Sequence, residues 1–339
     1  MKALEPYILR NTQLRNRIVM PPMCMYQASN GALTDFHEHH YAARALGGVG
    51  LIILEATAVS PEGRISDEDL GLWDDTFIEA HKNLVSKLHT YQSKVAIQLA
   101  HAGRKSVSCA SPHIAPSAIP YSQDYQVPVE MSLDEIQTVQ TQFVQAALRA
   151  QSAGYDGIEI HAAHGYLIHE FLSPLTNKRK DDYGGSVQNR ARFLHEILKS
   201  IRELIKPEMF ISLRISASDY HEEGLVKEDY IELLKPSLEY IDILHVSSGG
   251  NVSVRVPQGP LYQVDFAKYF KETLKVPTIA VGLITQKEEI DTVLNNHDAD
   301  FVALGRELLR SPFYVNDLYQ SEDKIDELPS SYHRAYKKG

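Results

Sequence analysis

Eight short apolar runs rich in β-branched residues recur along the chain, and most are separated by amphipathic stretches of helical length. Their apolarity is continuous rather than alternating, which is typical of strands buried on both faces of a parallel sheet. The runs occupy 17–23, 50–56, 94–100, 156–162, 209–216, 241–248, 276–282 and 299–305. Eight such units predict an α/β fold closed as a (β/α)8 TIM barrel, with an open doubly wound sheet as the alternative.

The intervening segments carry signals of helix ends. Ser186 precedes one of them and predicts an N-cap, and Gly154 follows another as a C-cap. The clearest helical segments are 76–91, 132–154, 189–205 and 227–240.

No linker or low-complexity run divides the chain, so we expect a single domain over 1–339. An excursion at about 103–131 is predicted to form a lid or small hairpin beside the active site. The tail after about 320 is predicted to be frayed.

Composition excludes several classes of protein. Lys plus Arg total 34 and Asp plus Glu total 44, and the resulting net charge of −10 disfavours a nucleic-acid or anionic-membrane binder. Cys24 and Cys109 are too few for a four-cysteine iron–sulfur cluster or zinc site. The N-terminus lacks the apolar run of a signal peptide, and no apolar stretch is long enough to span a membrane. These features predict a cytoplasmic protein whose electron chemistry does not depend on a cluster.

The last two predicted strands end in glycine-containing turns. VGLIT carries Gly282, and LGRELL carries Gly305 followed by Arg306. In this type of barrel the loops after strands seven and eight commonly bind phosphate through backbone N–H groups, and an arginine adds a bidentate cation. Ordinary βα turns with a surface arginine are the alternative interpretation. Two such turns together with the arginine favour a phosphate-bearing ligand.

A cluster of polar side chains follows the fourth predicted strand. His161 and His164 stand three apart in IEIHAAHGY, and Tyr166 follows them. In an extended strand the two histidines would face opposite ways, whereas in a turn they converge. Two imidazoles on one point can donate hydrogen bonds to a developing oxyanion or bind a metal, and a phenol beside them can deliver a proton. Two polar loop histidines without a function are the alternative.

Other barrel chemistries have less support. The cluster HEHH at 37–40 lacks the spacing of HExxH, and it follows a plausible N-cap at Thr34, so we expect a solvated first helical turn rather than a metal site. No strand end offers the lysine of a Schiff-base aldolase. The sequence has no GxSxG elbow, no P-loop and no GxGxxG. A phosphate-bearing cofactor other than a tightly held dinucleotide is therefore favoured.

Several long stretches resemble the old yellow enzyme family, in its bacterial, thermophilic-like NADPH dehydrogenase (ene-reductase) branch. They cover nearly the whole chain in order, and 159–193 is the most specific of them. The others are NRIVMPPMCMY, EATAVSPEGR, IQLAHAGRKS, LRISASDY, VGLI and LGRELLRSPF. The resemblance implies a (β/α)8 barrel that holds FMN non-covalently, in agreement with the pattern of strands. Relatives of the yeast type carry threonine where this chain has Cys24, which is expected to tune the flavin potential and substrate binding.

The resemblance also implies which residues contact FMN. From the ring system through its pyrimidine edge to the phosphate, they are Pro22, Met23, Cys24 and Ala56, then Gln98 and Arg214, then Gly282, Gly305 and Arg306. Arg214 is expected near N1 and O2, where a cation stabilises the reduced flavin.

The implied reaction is ping-pong. NADPH reduces FMN, with NADH as a possible substitute, and a hydride then passes from flavin N5 to the β-carbon of an activated alkene, such as an α,β-unsaturated carbonyl or nitro compound. His161 and His164 are expected to bind the substrate oxygen, Tyr166 to protonate the α-carbon, and Tyr26 to cover the substrate. We also expect a homo-oligomer, dimer or tetramer, in which Arg334 reaches a neighbouring site. A flavin-binding redox sensor and a metal-dependent barrel lyase or hydrolase are the alternative functions.

Overall fold

A closed eight-stranded parallel barrel forms the body of the protein in a computed structural model that describes residues 1–336. Its strands are β3 (Ile18–Met20), β4 (Leu51–Ala58), β6 (Lys94–Ala100), β9 (Gly157–Ala162), β10 (Phe210–Ser216), β11 (Ile243–Ser247), β12 (Thr278–Ala280) and β13 (Phe301–Ala303). Each strand pairs in parallel with its neighbours, and β3 pairs with both β13 and β4, which closes the sheet. The predicted (β/α)8 TIM barrel is confirmed, and the open sheet is excluded.

Helices lie between the barrel strands and beyond the last one. They are α1 (Asp35–Leu46), α2 (Ile78–Thr90), α3 (Leu133–Ser152), α4 (Leu167–Leu172), α5 (Val187–Leu204), α6 (Asp229–Leu234), α7 (Val264–Leu274), α8 (Lys287–Asn295), α9 (Gly305–Arg310), α10 (Tyr314–Ser321) and α11 (His333–Tyr336). Ser186 caps α5 by accepting a hydrogen bond from the Asn189 N–H, as predicted. Gly154 follows α3 with a φ of +87°, the left-handed conformation that ends many helices. Among the described residues, none of these helices has the length and apolar character needed to cross a bilayer.

A short hairpin closes the N-terminal end of the barrel. Its strands, β1 (Tyr7–Leu9) and β2 (Thr12–Leu14), pair antiparallel. Leu9 and Leu14 are buried in one cluster with inward-facing barrel residues, and the Tyr7 ring meets the Phe301 ring edge-on at 4.8 Å between centroids. Burying these large apolar side chains stabilises the plug and excludes water from that end. The opposite end of the barrel is therefore where a ligand can enter.

The barrel interior changes from apolar to polar along its axis. The N-terminal half is filled by side chains such as Val19, Phe210 and Phe301. The buried inward-facing side chains toward the C-terminal ends are instead polar: Gln98, Glu159, His161, Ser212, Arg214 and His245. Because a buried charge is costly unless it is compensated, Glu159 is hydrogen-bonded to several of these side chains, and together they form the floor of the site.

Two predictions about loops differ from the structure. The excursion contains β7 (Ile114–Ala115) and β8 (Val129–Glu130), which pair in parallel, so it is not a hairpin. The first turn of α1 begins at the predicted N-cap Thr34, but His37 and His40 are buried rather than solvated. His37 is buried because its Nδ1 accepts a hydrogen bond from the Thr34 N–H and its ring faces Glu55. The remaining strand, β5 (Leu70–Gly71), extends the pairing of β4.

Candidate active site

Three predicted side chains meet at the C-terminal end of β9. The ring centroids of His161 and His164 lie 5.2 Å apart, and those of His161 and Tyr166 lie 4.9 Å apart, both with nearly perpendicular planes. His161 is on the strand, whereas His164 and Tyr166 are in the turn before α4. The prediction that a turn would bring them together is confirmed.

Left-handed backbone makes this turn possible. His164 and Gly165 have φ values of +58° and +73°. A Cβ at Gly165 would overlap the Gly250 carbonyl oxygen, so only glycine fits there. The N–H of His164 donates to Ser216 Oγ at 2.9 Å, and the N–H of Gly165 donates to His169 Nδ1 at 3.0 Å. These bonds satisfy backbone N–H groups that lie beyond the end of the strand, and they fix the turn that carries His164 and Tyr166.

Both histidines of the cluster are neutral at pH 7. Burial, followed by the Arg214 charge, lowers the pKa of His161 and of His164 well below the ordinary value. His161 Nδ1 accepts from the Ala163 N–H at 3.3 Å, which leaves the ring proton on Nε2. His164 Nε2 lies 2.8 Å from Ser247 Oγ. Each ring is therefore a hydrogen-bond donor of fixed orientation rather than a charged group.

The loop after β3 forms another wall of the site. Glu55 holds this loop by accepting a hydrogen bond from the Met25 N–H at 2.9 Å. The Cys24 sulfur is hydrogen-bonded to the backbone of Ala56, and burial raises the pKa of the thiol, which stays protonated. Tyr26 is about half exposed at the mouth with a φ of +54°, and burial of its other half raises its pKa to about 12.

A buried carboxylate binds three polar side chains of the barrel floor. Glu159 accepts from Gln98 Nε2 at 2.8 Å, from Ser212 Oγ at 2.8 Å, and lies 2.9 Å from His245 Nδ1. Burial raises its pKa, but His245, Arg214 and Ser212 outweigh that effect and hold it below the ordinary value. Glu159 is therefore an anion that balances the Arg214 charge. Sequence reasoning missed it, although strand alternation places it on the same face as His161.

Arg214 connects this floor with the loop after β3. Its Nη1 donates to the Pro22 carbonyl at 3.4 Å, and its Nε is buried without a hydrogen-bond partner among the described residues. An unpartnered buried donor is costly, so this atom indicates an acceptor that a bound group would supply.

A cavity of about 210 Å³ extends from Arg214 past the last two strands. Gly282, Gly305 and Arg306, which the sequence assigns to a phosphate, line it together, and Gly282 has a φ of +141°. The structure adds polar lining residues that sequence reasoning did not assign to a phosphate site: Ser247, Tyr262, Gln263, Thr285, Glu307 and Arg310. The Glu307 carboxylate forms an ion pair with Arg310. Cations and glycine backbone in one cavity suit a phosphate monoester. Pro22, Met23, Cys24, Ala56 and Gln98 do not line this cavity.

A metal centre has little geometric support. Within residues 1–336, no group of three or more His, Cys, Asp or Glu side chains is arranged to hold a metal ion. His37 and His40 of the HEHH cluster lie on a helix and are occupied by Thr34 and Arg44 instead.

The family can be identified from the sequence as a whole. The family model described as the NADH:flavin oxidoreductase / NADH oxidase family matches residues 2–324. The chain belongs to this family. The resemblance to old yellow enzymes is thereby confirmed at the level of the family, while the thermophilic-like branch stays a prediction.

Several solved structures share this fold. Morphinone reductase superimposes with a TM-score of 0.78 and 28% identity over 91% of this chain and 87% of its own. Histamine dehydrogenase from Rhizobium sp. 4-9 gives a TM-score of 0.84 with 25% identity, and a 2-naphthoyl-CoA reductase complex gives 0.88 with 23%. The chain covers 48% and 53% of those two longer proteins, so it spans about half their length.

The charge of Glu159 is expected to set the reduction potential of the flavin that this family binds. In Glu159→Gln the side chain keeps its volume, but Arg214 loses its counter-charge and stabilises the more negative, reduced flavin. We expect the reduced form to be favoured about tenfold, which is a midpoint potential about 30 mV more positive for a two-electron couple, in a redox titration against a reference dye.

Ser212→Ala is the matched control for this change. It removes a hydrogen bond to the same carboxylate but no charge, so its midpoint potential should stay close to that of the unaltered protein. A Glu159→Gln protein that binds flavin with an unchanged or more negative potential would contradict the assignment.

Proposed function

We propose that the protein is an FMN-dependent oxidoreductase that uses NADPH to reduce activated alkenes, namely α,β-unsaturated carbonyl or nitro compounds. The observation that carries the proposal is the convergence of two neutral imidazoles and a phenol at the open end of a barrel of the flavin oxidoreductase family. These three groups are the donors that reduction of a polarised double bond requires.

FMN suits the residues around the floor and the cavity. The flavin would lie along Pro22, Met23, Cys24 and Ala56, because Arg214 and Gln98 then face its pyrimidine edge, and the unpartnered Nε of Arg214 gains an acceptor. Gly282, Gly305 and Arg306 would hold the phosphate in the cavity that they line. When bound, FMN takes a hydride from the nicotinamide and gives one to the alkene.

His161 and His164 would bind the substrate oxygen. As the β-carbon is reduced, negative charge grows on that oxygen, and preorganised N–H donors stabilise it more than they stabilise the neutral substrate. His161 donates from Nε2. His164 would donate from Nδ1 when the Ser247 hydroxyl, which also lies 3.3 Å from Gln263 Oε1, turns its proton toward His164 Nε2 at 2.8 Å.

Tyr166 would deliver the proton that completes the reaction. Burial raises its pKa well above the ordinary value, so the phenol is fully protonated at neutral pH. The phenol would therefore keep its proton until negative charge develops on the substrate α-carbon, which would then accept it. Tyr26, half exposed at the mouth, would cover the substrate.

The proposed reductant is a nicotinamide nucleotide, and the proposed assembly is a homo-oligomer. A morphinone reductase variant has been solved with tetrahydroNAD, which supports a nicotinamide reductant for a family member of this size. NADPH is proposed as that reductant, with NADH as the alternative. We further propose a cytoplasmic homo-oligomer in which Arg334, exposed on α11, reaches a neighbouring site.

The proposal is tested first on the purified protein. We expect a flavin absorption spectrum that NADPH bleaches in the absence of oxygen and that 2-cyclohexenone restores, with cyclohexanone as the product. A colourless protein would contradict FMN binding, and inactivation by chelators would then favour a metal-dependent lyase or hydrolase. A yellow protein that NADPH does not bleach would favour a redox sensor.

Tyr166→Phe separates the proton donor from the rest of the site. Its ring keeps the same shape but has no proton to give, so we expect reoxidation by cyclohexenone to slow about 100-fold or more while reduction by NADPH changes little. Stopped-flow absorbance of the flavin measures both half-reactions. Equal slowing of the two would count against a donor role.

His161→Ala and His164→Ala test the oxyanion contact. Each removes one N–H donor, so we expect the affinity for p-hydroxybenzaldehyde, followed by its perturbation of the flavin spectrum, to fall about tenfold or more. His195→Ala, a partly exposed histidine on α5, is the control and should bind as before. Unchanged affinity in both site variants would refute the role.

A further inference from the structure

Lys105 is a charged side chain next to the cluster that the proposed reaction leaves without a role. It ends the 3-10 helix Gly103–Lys105, which follows β6. Its Nζ donates to the His164 carbonyl at 2.9 Å and to the Gly250 carbonyl at 3.0 Å. One ammonium group therefore links the loops that follow β6, β9 and β11, including the turn that carries the catalytic candidates.

The same ammonium lies against two aromatic rings. Nζ is 5.2 Å from the centroid of Tyr166 and 4.5 Å from that of Tyr121 in the excursion. A cation at this distance is attracted to a neutral ring, and the attraction is stronger when the ring becomes an anion. Lys105 is mostly buried, so water screens this interaction weakly.

Tyr166 needs such a partner when it gives up its proton. Burial is the largest cause of its raised pKa, and the Asp69 carboxylate raises the pKa further. Both effects oppose a phenolate at this position. A cation beside the ring acts in the other direction, and more strongly once the proton has begun to leave.

We infer that Lys105 is a positioning residue for proton transfer, which holds the His164–Tyr166 turn and stabilises the Tyr166 phenolate as it forms. In this step the O–H bond of Tyr166 breaks and a C–H bond forms at the substrate α-carbon. The electron pair of the substrate anion makes the new bond, the negative charge moves to the phenolate, and solvent later returns the proton. The inference rests on the proposed alkene reduction.

The groups that face Lys105 determine when it is charged. Burial lowers its pKa, Glu170 of α4 raises it, and Arg104 of the same turn lowers it, with the result near 8. Glu170 is itself buried, which raises its pKa to about 8, and its Oε1 accepts from the Arg104 N–H. The neighbouring imidazoles, His161 and His164, are neutral, and the other neighbours are the phenols Tyr121 and Tyr166. Lys105 is thus a cation at pH 7 and loses its charge as the pH rises through about 8.

Lys105→Met and Lys105→Arg test the inference on the flavin-loaded protein. Methionine keeps the length of the side chain without its charge, so reoxidation by cyclohexenone should slow about tenfold while reduction by NADPH stays within about twofold. Arginine restores a cation and should bring reoxidation back to within about threefold. Affinity for p-hydroxybenzaldehyde should change little in both, because the imidazole donors are intact and the N–H groups of His164 and Gly165 still hold the turn.

The pH dependence of reoxidation tests whether the charge that stabilises the phenolate belongs to Lys105. In the unaltered protein the rate should fall as the pH rises above about 8, because the deprotonated amine no longer stabilises the phenolate. Lys105→Arg should move this fall to higher pH. Glu170→Gln removes a carboxylate that favours the ammonium, so the fall should move to lower pH. If Glu170→Gln abolishes the fall instead, the titrating group is Glu170 and the inference is wrong.

The two proposals fail in different ways. If the unaltered protein does not reduce cyclohexenone, the proposed function is wrong. If it does, and Lys105→Met reoxidises at the same rate, the inference alone is overturned. If Lys105→Met slows both half-reactions equally and loses p-hydroxybenzaldehyde binding, Lys105 holds the loops only, and the electrostatic part is overturned.

Discussion

The electrostatic attraction between the buried Glu159 and Arg214 is the interaction on which the site depends. A guanidinium inside a barrel is tolerated only if an anion and hydrogen-bond acceptors accompany it, since unpaired charges cost several kcal/mol to bury. Glu159 supplies the anion, and Gln98, Ser212 and His245 are hydrogen-bonded to its carboxylate oxygens. This arrangement allows Arg214 to present a positive charge to the open end while its own stem stays in the core.

The pattern of strands was predictable because burial on both faces leaves a continuous apolar run. All eight runs are strands, but 17–23 contributes only Ile18–Met20, since Pro21 and Pro22 have no N–H for the ladder. The hairpin at the N-terminal end was missed, because strands of three residues carry too few positions for a periodic signal. The apolar runs therefore predict which segments form the barrel strands, whereas residues such as proline determine where each strand ends.

Some site residues could be predicted from the sequence, and others could not. His161, His164 and Tyr166 could be grouped from spacing alone, because a turn must bring them together. Lys105 could not, since its partners are two backbone carbonyls in loops distant along the chain, and carbonyls carry no sequence signature. The burial of His37 likewise depends on a carboxylate, Glu55, that belongs to another element.

The plug at the N-terminal end has a kinetic consequence. Because the hairpin seals that end with Leu9, Leu14 and Tyr7, traffic to the polar floor passes through the mouth beside Tyr26. In the proposed reaction, reductant and acceptor would take turns in one entrance, so each would be a competitive inhibitor of the other. An excess of alkene would then delay the arrival of the nicotinamide and slow its own turnover, which would make the ratio of the two molecules, rather than either concentration alone, the quantity that governs flux.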